Sequence, residues 1–240
     1  MRGGVLIAVA APAEARAACR AAGISLEPPP WTLVPLWPGA DLVVTGVGKA
    51  NAAGGVARVA DPTRHGLVLS LGIAGALPRS GGTMLALGSL VVATDSVYAD
   101  EGLESPAGWA TVAELGFPLA PAPMRGNAVP GDAGAVVRLA TWADSTGPIA
   151  TVSTCSGTDA LAAKVAARTG ALAEAMEGAA IGQAACRLGL AFAEARAISN
   201  TTGDRASQRW DIRAALARLE RMVGGLREGW GGSEPAAHPG

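Results

Sequence analysis

The stretch from Ala171 to Asp211 constrains the fold more than any other part of the chain. A short apolar run over 171–176 ends at Glu177, an Ala-rich segment follows over 178–189, and a second apolar run spans 190–198. Short apolar runs bounded by glycine and polar residues read as buried strands, and the segment between them has helical length and composition. Such strand–helix–strand units build α/β sheets, which bind ligands beyond the carboxyl ends of their strands. At those ends stand Glu177 and the polar string Ser199-Asn200-Thr201-Thr202-Gly203-Asp204-Arg205. Glu177 is expected beside the free N–H groups of a first helical turn. Two carboxyls and an amide, Glu177, Asp204 and Asn200, are expected to converge there.

The rest of the chain continues the pattern. Strands are predicted over 4–10, 41–46, 67–71, 87–97 and 149–153, and helices over 12–22, from the Gly46 turn to Ala60, over 131–143 and over 206–226. The last helix shows apolar residues at 212, 215, 216, 219, 222 and 223, a helical period. A chain of 240 residues can bury one sizeable core, so 1–228 reads as one domain and 229–240 as a disordered tail. Hydrophobic residues make up 50% and aromatics 4%, so that core must be alanine, valine and leucine packed closely. The Pro-rich stretch 27–31 reads as a connection. Residues 99–130, with five prolines and no period, are too long for an idle loop and predict a binding or interface role. Asp100 and Glu101 in it are candidate ligands, with solvated loop carboxylates as the alternative.

Several classes are excluded. A net charge of −1 gives no electrostatic case for nucleic acid or an anionic membrane, and no apolar run is long enough for a membrane span. The apolar residues 5–10 followed by Ala-x-Ala spacings imitate a secretory leader. Pro12, favoured in a first helical turn, supports a strand running into a helix instead. Cys19, Cys155 and Cys186 are odd in number and lack C-x-x-C spacing, which predicts no disulfides and a reducing, cytoplasmic compartment. His65 and His238 cannot assemble a metal-ligand cluster, so no metal or other cofactor is predicted. Gly46-Val47-Gly48-Lys49 lacks the downstream acid of a dinucleotide site and reads as a tight turn. Gly72-Ile73-Ala74-Gly75, after the 67–71 strand, forms either an ordinary turn or one whose backbone approaches a ligand. In Thr154-Cys155-Ser156-Gly157-Thr158, Cys155 has no basic partner and reads as a small buried thiol rather than a nucleophile.

Met176-Glu177 before a small-residue helix, and Ala197-Ile198-Ser199 before a polar loop, resemble the nucleoside phosphorylase/nucleosidase superfamily over residues 4 to 222. Within it the strings 153–158 and 200–205 are most similar to those of the futalosine hydrolases. The resemblance implies a three-layer α/β/α sandwich with a central mixed sheet, a homo-oligomer (dimer or larger) and a small-molecule nucleoside as partner. It places Ala175, Met176 and Glu177 at the ribose, and Gly72, Ile73, Ala74 and Gly75 beside the ribose and the nucleophile. Ser199 and Asn200 fall at the purine. Ser156, Gly157 and Thr158 fall at the substrate, with Gly157 or Thr158 where methylthioadenosine nucleosidases carry an aromatic that packs on the base. Glu14 stands where nucleosidases position water, and phosphorylases carry a Gly-Asp-Pro-x-Arg string where this chain has Ala11-Pro12-Ala13-Glu14-Ala15-Arg16. That difference favours water over phosphate.

Asn200 differs from the aspartate of adenine-type nucleosidases. An amide offers a donor and an acceptor, so it can meet N7 or O6 of a 6-oxopurine where an ionised carboxylate would oppose O6. Asp204 is a candidate general acid, with a structural loop role alongside Arg205 as the alternative. The implied activity is hydrolysis of futalosine to hypoxanthine in menaquinone biosynthesis. A methylthioadenosine/S-adenosylhomocysteine or aminodeoxyfutalosine nucleosidase and a 6-oxopurine nucleoside phosphorylase stay open. A non-catalytic nucleoside-binding module is a further alternative, against which Glu14 and Glu177 together argue.

Overall fold

The structure is a computed structural model that describes residues 3–79 and 83–230, without the side chain of Trp230. Strands β1 (Gly4–Val9), β2 (Val34–Trp37), β3 (Ala40–Val44), β4 (His65–Ala76) and β5 (Leu90–Tyr98) occupy the first part, with helices α1 (Pro12–Ala22) and α2 (Lys49–Val59) between them. Then come β6 (Gly102–Ser105), β7 (Gly108–Thr111), β8 (Ala128–Pro130), α3 (Ala133–Ala140), β9 (Ser145–Thr151) and α4 (Asp159–Thr169). The last described elements are β10 (Ala173–Ala175), α5 (Gly178–Arg187), β11 (Ala191–Thr201) and α6 (Ile212–Trp230).

One mixed sheet runs in the order β10-β9-β5-β11-β4-β1-β3-β2, with β8 alongside β5. β10 also pairs antiparallel with β4, so β4, β11, β5, β9 and β10 close into a ring from which β1, β3 and β2 extend. On one face Ala15, Ala18 and Cys19 of α1, Ala135 and Leu139 of α3, and Ala215, Leu219 and Leu226 of α6 bury against Ile7, Leu69 and Ala195. On the other, Ala52 and Val56 of α2 and Ala179–Cys186 of α5 bury against Leu6, Val68 and Phe192. The three-layer α/β/α sandwich is therefore present, and small side chains let α2 and α5 lie close to the sheet.

Several details depart from the sequence reading, each for a local reason. β4 does not turn after Leu71: Gly72-Ile73-Ala74-Gly75 continues as strand, paired with Arg196, Ala197, Ile198 and Asn200 of β11. Strand β2, helix α4 and the β6–β7 hairpin within 99–130 were not anticipated. For α4 the signal lay in its ends, where Thr158 accepts from the N–H of Leu161 at 3.2 Å and Gly170 closes the helix in the left-handed conformation. α6 begins at Ile212 instead of 206. Asp211 caps it through the N–H of Ala214 at 2.8 Å, while residues 203–210 turn back towards Ser156 and Gly157. α6 also runs through 229 and 230, and the rest of the predicted tail, 231–240 with His238, lies outside the described residues. His65 is buried at the start of β4, where its Nδ1 accepts from the N–H of Asp61 and its Nε2 lies 3.0 Å from Asp41. Among the described residues no cluster of His, Cys, Asp or Glu could hold a metal, and no helix is long and apolar enough to cross a membrane.

Candidate active site

Four parallel strands, β3, β1, β4 and β11, deliver their carboxyl ends to one region, and the charged groups there converge on a buried arginine. Arg196 of β11 is 1% exposed. Its Nε donates to Glu194 at 2.7 Å, its Nη2 to Ser70 Oγ at 2.9 Å, and its Nη1 lies 3.3 Å from Glu177. Glu14 feels the charge of both Arg196 and Glu177. Burial and the neighbouring charges pull against each other at Glu14 and Arg196. Desolvation raises the Glu14 carboxyl above its ordinary 4.5, against the pull of Arg196 and two backbone N–H groups. For Arg196 desolvation opposes the charge, but Glu194, Glu177 and Glu14 outweigh it and hold the guanidinium ionised. Three carboxyl groups thus surround one guanidinium.

Glu14 enters this cluster from the third position of α1. Its Oε2 accepts the N–H groups of Ala10 and Ala11 at 3.0 and 2.9 Å, and its Oε1 accepts that of Ile73 at 2.9 Å. Gly72 makes the approach possible, because a Cβ there would stand 2.3 Å from Arg196 Nη1 and 2.6 Å from Glu14 Oε1. Glu177 sits at the N-cap of α5 as expected but does not cap it. The hydroxyl of Thr151 accepts from Ala179 instead, and Glu177 turns to the N–H of Gly48 at 3.1 Å and to Arg196. The Gly48 turn thus supplies a donor to the cluster. The N–H of Met176 donates to Glu177 at 3.2 Å, while the side chain of Ala175 packs with Ala74 and Ile198 in the core.

The second half of the site lies along β11 and the 153–158 loop. Asn200 follows an irregularity in β11, still paired with Gly75, so Ser199-Asn200-Thr201 is strand rather than loop. Its Oδ1 accepts from Ser199 Oγ at 2.8 Å and its Nδ2 donates to Thr201 O at 3.0 Å, leaving one amide hydrogen without a partner among the described residues. Ser156 is buried, with its N–H and hydroxyl both donating to Glu174 at 2.7 and 2.6 Å. Gly157 and Thr158 are exposed, and the Thr158 oxygen is engaged in capping α4. Asp204 is exposed and exchanges hydrogen bonds with Asp159, each carboxylate accepting the other's N–H at 3.0 Å. That pairing ties the loop to the first turn of α4, which is the structural alternative for Asp204. Cys155 is exposed, not buried as predicted. Desolvation, then the charges of Glu174 and Glu177, raise its thiol, the wrong direction for a nucleophile.

Sequence reading missed Arg196, Glu194 and Glu174 because each sits inside a run taken as apolar. The signal was available: Glu194 and Arg196 are two residues apart in a buried strand, so they share a face, and buried charges require partners. Outside the cluster, Lys49 bonds Asp100 and lies 3.1 Å from Glu101, with its ammonium 5.1 Å from the centre of the Tyr98 ring. Asp100 also accepts the N–H of Ser153, so these loop carboxylates are partnered rather than free.

The family model of the phosphorylase superfamily matches residues 41–226 of this α/β chain. The chain belongs to that superfamily. Curated relatives narrow the class. The futalosine hydrolase of Streptomyces coelicolor is 38% identical over 92% of this chain and 94% of its own, and that of Acidothermus cellulolyticus is 38% identical over 80% and 76%. By these relatives the chain is a member of the futalosine hydrolase family. Solved structures share the fold. The methylthioadenosine/S-adenosylhomocysteine nucleosidase of Streptococcus pneumoniae superposes with a TM-score of 0.72 at 22% identity, covering 93% of this chain and 98% of that one. The corresponding nucleosidase of Neisseria meningitidis gives 0.74 at 19%, covering 94% and 99%.

Proposed function

We propose that the chain hydrolyses the N-glycosidic bond of futalosine, releasing hypoxanthine, with Glu14 as the base that activates water and Glu177 as the acceptor for the ribose hydroxyls. One observation carries the choice of water. The N–H groups of Ala10, Ala11 and Ile73 form the natural anion cradle beside the strand ends, and Glu14 already fills it with its own carboxylate. A phosphate entering there would meet a fixed negative charge. Arg16, the one cation of the 11–16 string, is exposed and bonded to Glu27 at 2.7 Å, turned away from the cluster.

Departure of the base leaves an electron-poor, oxocarbenium-like sugar. Glu14 needs its lone pairs for the water proton. Three backbone donors fix its plane, and burial raises its basicity above that of a solvated carboxylate. Glu177, held by Gly48 N–H and Arg196, presents a charged acceptor to the 2′- and 3′-hydroxyls, each such bond worth roughly 1.5–3 kcal/mol. Arg196 positions both carboxylates. Asn200 donates its remaining amide hydrogen to N7 or O6 as charge moves onto the departing base, with Ser199 orienting the amide. The sequence resemblance places this reaction in menaquinone biosynthesis. A cytoplasmic location and a homo-oligomer belong to the same proposal. Three free cysteines support the first. For the second, Val47, Leu103 of β6 and Phe117 are 53%, 50% and 69% exposed.

The test is incubation with futalosine, inosine and methylthioadenosine, with and without phosphate. Hypoxanthine release from futalosine at a rate independent of phosphate is expected. Ribose 1-phosphate-type products, or a preference for methylthioadenosine, would overturn the reading.

A further inference from the structure

An acceptor for ribose hydroxyls works only if its plane is fixed, and Glu177 has few groups to fix it. Its Oε2 takes the N–H of Met176 at 3.2 Å and faces Arg196 Nη1 at 3.3 Å. Among the described residues its Oε1 accepts from one group, the N–H of Gly48 at 3.1 Å. That donor sits in a permissive piece of backbone. Gly46 and Gly48 flank Val47 with φ of 89° and 93°, a region that glycine enters freely and other residues rarely adopt. Gly46 N–H donates to Ala10 O at 3.1 Å and Asn51 Nδ2 to Val47 O at 2.9 Å, which holds the entry and the middle of the turn. Gly48 is left to the start of α2, where its carbonyl accepts the N–H of Ala52 at 2.9 Å. The direction of its own N–H therefore follows the placement of the first residue of α2, Lys49.

Lys49 ties that end of the turn to the end of β5. Its side chain is 13% exposed. The ammonium donates to Asp100, lies 3.1 Å from Glu101 and stands 5.1 Å from the centre of the Tyr98 ring. Asp100 is a fixed anchor, since its other oxygen accepts the N–H of Ser153 at 2.6 Å. Tyr98 is fixed as well, its hydroxyl donating to Gln183 of α5 at 2.6 Å. A lysine on a solvated helix end keeps a mobile four-carbon stem, and its ion pairs contribute little. This one is held by two carboxylates and an aromatic face in a nearly enclosed place, so it restrains the backbone that carries it.

Resting on the nucleosidase reading above, we propose that Lys49 is a positioning residue: anchored on Asp100 and Glu101, it holds the Gly48 N–H on Glu177 and so fixes the acceptor of the ribose hydroxyls. Its ammonium is engaged by the anchor, so it acts through Glu177 and not on the substrate. Without the anchor Gly48 is free to turn, Oε1 of Glu177 loses its donor, and the carboxylate pivots on Met176 and Arg196. The loss falls on the interaction with the hydroxyls. Glu14 and its three backbone donors belong to other elements and keep their places.

The experiment measures kcat/KM for futalosine and for its 2′-deoxy analogue with wild type, Lys49→Met and Lys49→Arg, alongside thermal unfolding of each. Comparing the ratio of the two substrates between proteins cancels the difference in their intrinsic lability. Lys49→Met should lower the futalosine-to-deoxy ratio by about 10-fold, the lower end of what one bond to a charged acceptor contributes. Lys49→Arg keeps the cation and should hold the ratio within a few-fold of wild type. A Lys49→Met protein that is slower or less stable but keeps the wild-type ratio would overturn the proposal, because a lysine that only braces the fold slows both substrates alike. Should Lys49→Met not fold, Asp100→Asn combined with Glu101→Gln loosens the same anchor from its other side and is read by the same ratio. Absence of futalosine turnover by the wild type would overturn the nucleosidase reading and this role with it.

Discussion

Replacing Arg196 with methionine tests whether one guanidinium holds the site together. The side chain is fully buried, bonds Glu194 and Ser70, lies 3.3 Å from Glu177, and offsets the charge of Glu14. Methionine keeps much of the volume and removes the charge, which leaves three buried carboxylates without their cation. Removing one partner of a buried ion pair costs about 3–5 kcal/mol. That is a large share of a total stability of about 5–15 kcal/mol. For a domain of this size 1 kcal/mol moves Tm by about 2–4 °C, so a drop of about 6–20 °C is expected. The sign of its pH dependence follows from linkage. Without Arg196 the Glu14 carboxyl, which burial already raises, rises further, so the folded variant binds protons more tightly. Its deficit is smallest where that carboxyl is protonated in both states, below about pH 4.5, and grows as pH rises through its folded value. Thermal unfolding of both proteins from pH 5 to pH 8 reads this directly. A Tm difference that is the same at every pH, or under about 2 °C, would refute the reasoning. Adding Glu194→Gln to the variant should recover part of the loss.

Further outcomes follow from the same geometry. The acid limb of kcat/KM for futalosine should fall above the ordinary carboxyl value of 4.5, because burial raises Glu14 and activity needs its ionised form. A rate flat down to pH 4.5 would count against Glu14 as the base. Asp204→Ala should cost about 0.5–2 kcal/mol of stability through its lost bond to Asp159 N–H, yet keep kcat within a few-fold. A loss of 100-fold or more in kcat with Tm unchanged would restore Asp204 as the general acid. Asn200→Asp should lower the futalosine preference over its 6-amino analogue by about one to two decades in the kcat/KM ratio. An unchanged ratio would assign Asn200 to its bonds with Ser199 and Thr201 alone.

The layered fold was legible because its signal is periodic. Runs such as 171–176 and 190–198, bounded by glycine and polar residues, read as buried strands, and the segment between them has helical length and composition. Glu14, Glu177 and Asn200 were legible because they punctuate strand ends. Arg196, Glu194 and Glu174 were not read, since a single charge inside an apolar run leaves the run's periodicity intact. Their partners, Ser70 and Ser156 among them, lie on other strands and emerge only from the pairing. Gly72-Ile73-Ala74-Gly75 read as a turn because two glycines normally break a strand. Here they continue one, Gly72 making room for Arg196 and Glu14. Thr158 was placed at the substrate by the resemblance, and α4 was not foreseen, although its threonine cap and terminal Gly170 mark both ends.

The most direct measurement is hypoxanthine release from futalosine by Glu14→Gln, with circular dichroism confirming that the variant folds. Glutamine can keep accepting from Ala10, Ala11 and Ile73 through its carbonyl oxygen, but it cannot take a proton from water. A positioned general base is worth about 10²–10⁴-fold, so kcat should fall by at least about 100-fold while the fold is retained. A folded Glu14→Gln protein that releases hypoxanthine within a few-fold of the wild-type rate would contradict the assignment of Glu14 as the base that activates water.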